Sequence, residues 1–398
     1  MVATSTASLR FVRDKYMKHW STHAYKMEYD KYFSNHLLHG LVALADLGAT
    51  ESHVEGYAKH YVATKLCPVN DRTQDEEAPA VAEIRHITAD GAITQHLPKL
   101  IGGLAGSLLH GLIQLGYAYR AGGDLLIAEG LAYMHFSYLS FDATDDDQVL
   151  AQQGEPFTRD AALALARSVQ KDTALLDELH THLQAPAFTN VVQGDLQRRV
   201  MSFSSDATLG DPVLFNAVKT AVDRFDFRNV NGHFALDFAT WLYHLTPTND
   251  FVLLHATTSA WSLHQVEHLL AVDDRVRAWK VWFRMALGAF IMHEAPELPA
   301  EDPCEQAATQ LATMPEWDEI IAKTLALEGD VDEHVYKLVQ VAHDIATTGA
   351  RSPDDEGNAP PSSFLTATQR EFVTRSAALK VISSEFAIAA GHNDPNDA

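Results

Sequence analysis

Cysteine is nearly absent. Cys67 and Cys304 are the only two in 398 residues, and they form no CxxC pair and no disulfide framework. Basic residues are also few, with 30 Lys and Arg against 53 Asp and Glu and a net charge of −23. A nucleic-acid partner needs a basic face, and an anionic lipid surface needs a polybasic segment, so both are disfavoured. No apolar run is long enough to span a bilayer, and Met1 to Tyr16 lacks the apolar core of a secretory signal. A cytoplasmic protein is the expectation. Glycine-rich nucleotide loops are missing too. Gly102-Gly103-Leu104-Ala105-Gly106 sits in a helical context, and no P-loop or G-x-S-x-G elbow occurs.

What remains is a chain with 46% apolar residues and 21 histidines. Helical periodicity predominates and strand-like alternation is scarce, so the expected fold is all-α, a single large domain over 1–398 built from helical hairpins. The spacing predicts helices over Phe11–Lys31, Asn35–Leu47 with Gly48 as its cap, Ser52–Lys65, Leu100–Arg120, Leu125–Ser140 and Arg159–Leu183. Further helices are expected over Phe251–Leu270, Asp273–His293, Trp317–Leu327 and Asp332–Thr347. The last begins at a capping box, Thr366-Ala367-Thr368-Gln369, and runs to about Ala390. Residues 68–97 and 351–363 read as loops, and Asp145-Asp146-Asp147 as a solvated acidic run.

The histidines carry the chemistry. Leu-His-Gly-Leu occurs twice, around His39 and His110, each time inside an apolar helix. An imidazole there costs free energy unless its nitrogens find partners, and a shared metal is one solution. The alternative is a pair of core histidines bonded to carbonyls. His36 lies on the face of His39 and is either a ligand or an outer partner. His255 opens a nearly uncharged helix. His334 and Lys337 share a face of an apolar helix, where burial would favour a neutral amine able to react with CO2 and give an anionic carbamate. The competing reading of Lys337 is a surface partner of Asp332 or Glu333. His264, Glu267 and His268 match the H-x-x-E-H motif of zinc proteases. His293 and His343 are further possible ligands, with a structural role as the first reading of each.

Together, Asn35–Leu41, His110–Ala118, Leu254–Thr258 and Glu333–Leu338 resemble the questin oxidase-like family of oxygenases, in the family's order. One departure is Gln114, where the family often has a second histidine. The resemblance implies O2-dependent oxidative cleavage of an anthraquinone-type aromatic polyketide, by dioxygenase or Baeyer–Villiger-type chemistry with NADPH as co-substrate. It implies a non-haem Fe(II) held by His39, His110, His255, His334 and a carboxylated Lys337, with Lys337 and His334 central to catalysis. His36 and Gln114 would be outer partners, and Trp261, Tyr117 and Phe136 would line a flat substrate pocket. The readings set against it are a zinc hydrolase using His264, Glu267 and His268, and a helical scaffold without chemistry.

Overall fold

In a computed structural model, which describes residues 7–17, 25–29, 33–66, 88–142, 154–185, 195–348 and 364–387, helices dominate. Many of them begin where a short polar side chain can accept the free backbone N–H groups of a first turn. Thr50, Thr88, Thr158, Asp172, Asp211, Asn231 and Asp250 all do so. Thr366 and Gln369 form the expected reciprocal capping box. Gly48, at φ +80°, ends the Leu37–Asp46 helix as the sequence predicts. Strands are vestigial, three two-residue pairs among the described residues.

The centre is the Phe251–Val266 helix, buried on nearly all sides. It packs against His110–Ala121, Gly232–Leu245, Val272–Met292 and Glu333–Thr348. The Leu37–Asp46 helix lies across Glu333–Thr348 and His110–Ala121. The buried apolar residues, from Leu9 to Val381, form one contiguous cluster. The Ala367–Ser383 helix is tied to it by Arg370, whose guanidinium grips the buried Asp237 carboxylate at 2.6 and 2.7 Å. Asp237→Ala removes the carboxylate that neutralises this buried cation. It is expected to lower stability by about 3–5 kcal/mol, measurable by urea unfolding.

Several elements depart from the sequence expectation. The Leu100–Arg120 helix is broken into Ala89–Leu100, two short 3₁₀ turns over Ile101–Leu109, and His110–Ala121. The glycine-rich 102–106 stretch is therefore a turn region, and part of the expected 68–97 loop is helix. Phe11–Lys31 is not one helix: Ala7–Val12 passes into a π turn over Arg13–Met17, and Glu28–Tyr29 pairs with Phe33–Ser34. Arg159–Leu183 divides at Asp172, whose side chain caps a new helix. The last helix stops at Ser383 because Phe386–Ala387 pairs with Asn249–Asp250. The 351–363 segment and Asp145–Asp147 lie outside the described residues. No helix among the described residues is long and apolar enough to cross a membrane.

Candidate metal centre

Four histidines meet where four helices begin. His36 is the N-cap of Leu37–Asp46 and His110 the first residue of His110–Ala121. His255 lies one turn into Phe251–Val266, and His334 is second in Glu333–Thr348. One ring nitrogen from each lies within 4.8 Å of the others, and all four are buried.

The outer face of each ring is held by oxygen. His110 Nδ1 lies 2.5 Å from the Ser107 carbonyl, His255 Nδ1 2.7 Å from the Phe251 carbonyl, and His334 Nδ1 2.6 Å from Asp332 Oδ1. His36 Nδ1 is 3.0 Å from Glu333 Oε1, too poorly aligned for a hydrogen bond but close enough to orient the ring. A neutral imidazole that donates from Nδ1 carries its lone pair on Nε2. His255 Nε2 lies 3.2 Å from both His110 Nε2 and His334 Nε2. Lone pairs facing one another at that distance repel unless a cation lies between them. Donors about 2.1 Å from a shared first-row ion sit about 3.0–3.4 Å apart, so the spacing fits a metal. Oxygen partners behind ligating rings are the usual support of such a centre.

Electrostatics agrees. Burial, followed by the Lys337 charge, pushes His36 and His39 well below the ordinary histidine range and His110 down to about 3. Burial, then neighbouring His110 and His334, does the same for His255. Such rings stay neutral and able to bind metal at physiological pH. Lys337 is fully buried on the same helix, one turn beyond Glu333 and His334, and its Nζ has no hydrogen-bond partner. Burial lowers its pKa to about 7, against the pull of Glu333 and Asp332. An orphaned amine beside four buried imidazoles fits a site that takes one anionic oxygen donor.

His110 is delivered by a strained turn. Ser107, Leu108 and Leu109 have φ of 46°, 51° and 67°, a left-handed conformation costing about 1–2 kcal/mol per non-glycine residue. The turn aims the Ser107 carbonyl at the His110 ring.

His39, expected as a ligand, stands outside the quartet. Its Nε2 donates to Gln114 Oε1 at 2.9 Å, and its ring packs on Tyr117 at 5.0 Å and on His36 at 5.2 Å. His36 takes the inner place. The glycines after His39 and His110 serve helix packing: a Cβ on Gly40 would collide with the Tyr57 ring, and one on Gly111 with the Met134 backbone. Gln114 accepts from His39, a ring outside the quartet, and donates to Glu129. Trp261 and Tyr117 pack on each other at 4.8 Å, donating to Asp344 and Gln340. They are core, and Phe136, 78% exposed, faces solvent at its helix end. Asp332 and Glu333, which the sequence offers only as partners for Lys337, orient His334 and His36, and their adjacency to His334 is the signal for that role.

The H-x-x-E-H segment does not assemble a zinc site. Glu267 accepts from Gly232 N, Trp279 Nε1 and His264 Nδ1, whereas His268 turns away to Tyr119. The helix ends at Val266, so the i, i+4 register of the two histidines is lost. His293 pairs with Asp250 and His343 packs on Trp317, both away from the quartet.

Residues 81–342 match the questin oxidase-like family, well over half of the chain. The chain belongs to this family. No curated protein sequence matches it. The questin oxidase-like assignment makes it an oxidoreductase acting on small aromatic, polyketide-type substrates. His110, His255, His334 and Lys337 lie inside the matched span. His36, which completes the quartet, lies before it and is brought in by the fold.

Proposed function

We propose that this chain is a non-haem iron oxygenase that cleaves a ring of an anthraquinone-type or related aromatic polyketide with O2. The observation carrying this reading is the buried quartet of histidines, in which His255 Nε2 lies 3.2 Å from both His110 Nε2 and His334 Nε2. His36, His110, His255 and His334 would hold the ion, with Lys337, as its CO2 adduct, adding an anionic oxygen. Bound there, ferrous iron would supply the one-electron chemistry that lets O2 react with a closed-shell aromatic.

The chain's own contribution is placement and dryness. The Ser107 and Phe251 carbonyls and the Asp332 carboxylate lock the rings, so the donors are organised before the ion arrives. Tyr117, packed on His39, and Trp261 behind it are buried. A cleft runs beside the Leu37–Asp46 helix, lined by Tyr16, Tyr25, Leu38, Gln114 and Glu129.

Protein purified without air is expected to contain about one iron per chain, lost in His255→Ala, by elemental analysis. Zinc in place of iron, retained in His255→Ala, would overturn the proposal. O2 and NADPH consumed per product then separate two chemistries. A dioxygenase inserts both oxygen atoms with no NADPH, and a Baeyer–Villiger reaction inserts one and oxidises one NADPH.

A further inference from the structure

Each ring of the quartet is at most 7% exposed, so nothing reaches the four nitrogens unless part of the fold moves. On the His334 side solvent is one residue away: the Asp332 carboxylate that holds its Nδ1 is 43% exposed. Two phenyl rings cover that side. Phe251 lies 4.8 Å from the His334 ring and 4.5 Å from that of His255. Phe386 lies 6.0 Å from His334 and 5.7 Å from Phe251. Neither phenyl is fully buried. Movement of Phe251 would carry His255 with it, four residues along the same helix. Phe386 carries no ligand with it.

Phe386 is also lightly held. Phe386–Ala387 pairs with Asn249–Asp250 over two residues only, and Asn249 Nδ2 donates to the Ser384 carbonyl at 2.8 Å. Ser383, Ser384 and Glu385 are exposed. The post from which this segment extends is firm. Lys380 Nζ donates to the carbonyls of Tyr243 at 2.7 Å, His244 at 3.1 Å and Thr246 at 2.6 Å, which clamps the Ala367–Ser383 helix to the end of Gly232–Leu245. The helix stops at Ser383. A swing beyond it breaks a two-residue ladder and one side-chain hydrogen bond and leaves every helix in place. Segments with few buried contacts open at low free energy while the core stays folded.

We propose that residues 384–387 form a strap that swings to lift Phe386 off His334 and open the metal centre, with Lys380 as its fixed post. The inference rests on the metal-centre reading and adds to it the way in.

The test is the rate of cobalt(II) entry into metal-free protein, by stopped-flow absorbance, and of its removal by excess chelator. If the ion passes only through the open form, entry and release both scale with the population of that form, and their ratio is constant. Phe386→Ala removes the covering ring and is expected to speed entry and release about tenfold each, with Kd within about twofold of the parent. Asn249→Asp keeps the acceptor for the Tyr243 hydroxyl but loses the donor to Ser384, and is expected to act in the same direction without touching Phe386. Unchanged rates in either variant overturn the inference and leave the metal centre standing. Faster release without faster entry in Phe386→Ala also overturns it, because the ring would then support His334 rather than cover it. Failure of the parent to take up cobalt overturns the inference together with the metal centre on which it rests.

Discussion

Lys337→Met is expected to abolish turnover and, at the same time, to make the metal-free protein harder to unfold. The Lys337 amine is fully buried with no hydrogen-bond partner. Replacing it by a thioether of similar length removes an unsatisfied polar group, a gain of about 1–3 kcal/mol. The same change deletes the anionic donor proposed for the metal. Outer partners of a metal alone are worth about 10–100-fold, so loss of a direct donor should cost activity at least about a hundredfold. The pH dependence separates this residue from the rest of the core. Burial holds the amine near pKa 7 in the fold, against an ordinary 10.5. Between those values the unfolded chain carries a proton that the folded one lacks, so stability rises with pH across that window. Below about pH 7 both states are protonated and the penalty is constant. Chemical denaturation of metal-free protein from pH 6 to 10 should show this rise in the parent and a smaller one in Lys337→Met. Equal slopes would mean that the amine is not buried as described.

The second large effect concerns which of two neighbouring histidines binds the ion. His36→Ala is expected to lower metal affinity by about a hundredfold or more, and Glu333→Gln by about 10–100-fold through the His36 ring it orients. Glu333 is itself held by Lys65, 3.0 Å away at the protein surface. Competition with a chromogenic chelator measures both variants. Retained affinity in His36→Ala would overturn the quartet and restore His39 as the ligand.

That pair also marks how far the sequence could be read. His110, His255 and His334 were legible because each interrupts an apolar helix, where a polar ring demands a partner. Lys337 stood out for the same reason. His36 and His39 are three residues apart on one helical face, and periodicity cannot separate them. What separates them is the helix start at Leu37 and the amide of Gln114, 75 residues away. The following glycines pointed to close approach, but what approaches is Tyr57 and Met134. The break before His110 was invisible because Ser107, Leu108 and Leu109 lack the glycine or asparagine that usually announces a left-handed turn. The caps, by contrast, were readable from Thr366 and Gln369 alone, since they depend only on neighbours in sequence.

The quartet draws one donor from each of four helix starts, at positions 36, 110, 255 and 334, spread across three quarters of the chain. No folding intermediate that lacks any of these helices can present the full set. Metal capture is therefore a late event, and it inspects the product: only a molecule whose most distant segments have all docked can hold the ion tightly. Such coupling makes occupancy a quality check on assembly, and a defect as remote as the Arg370–Asp237 clasp should register as slower or weaker loading.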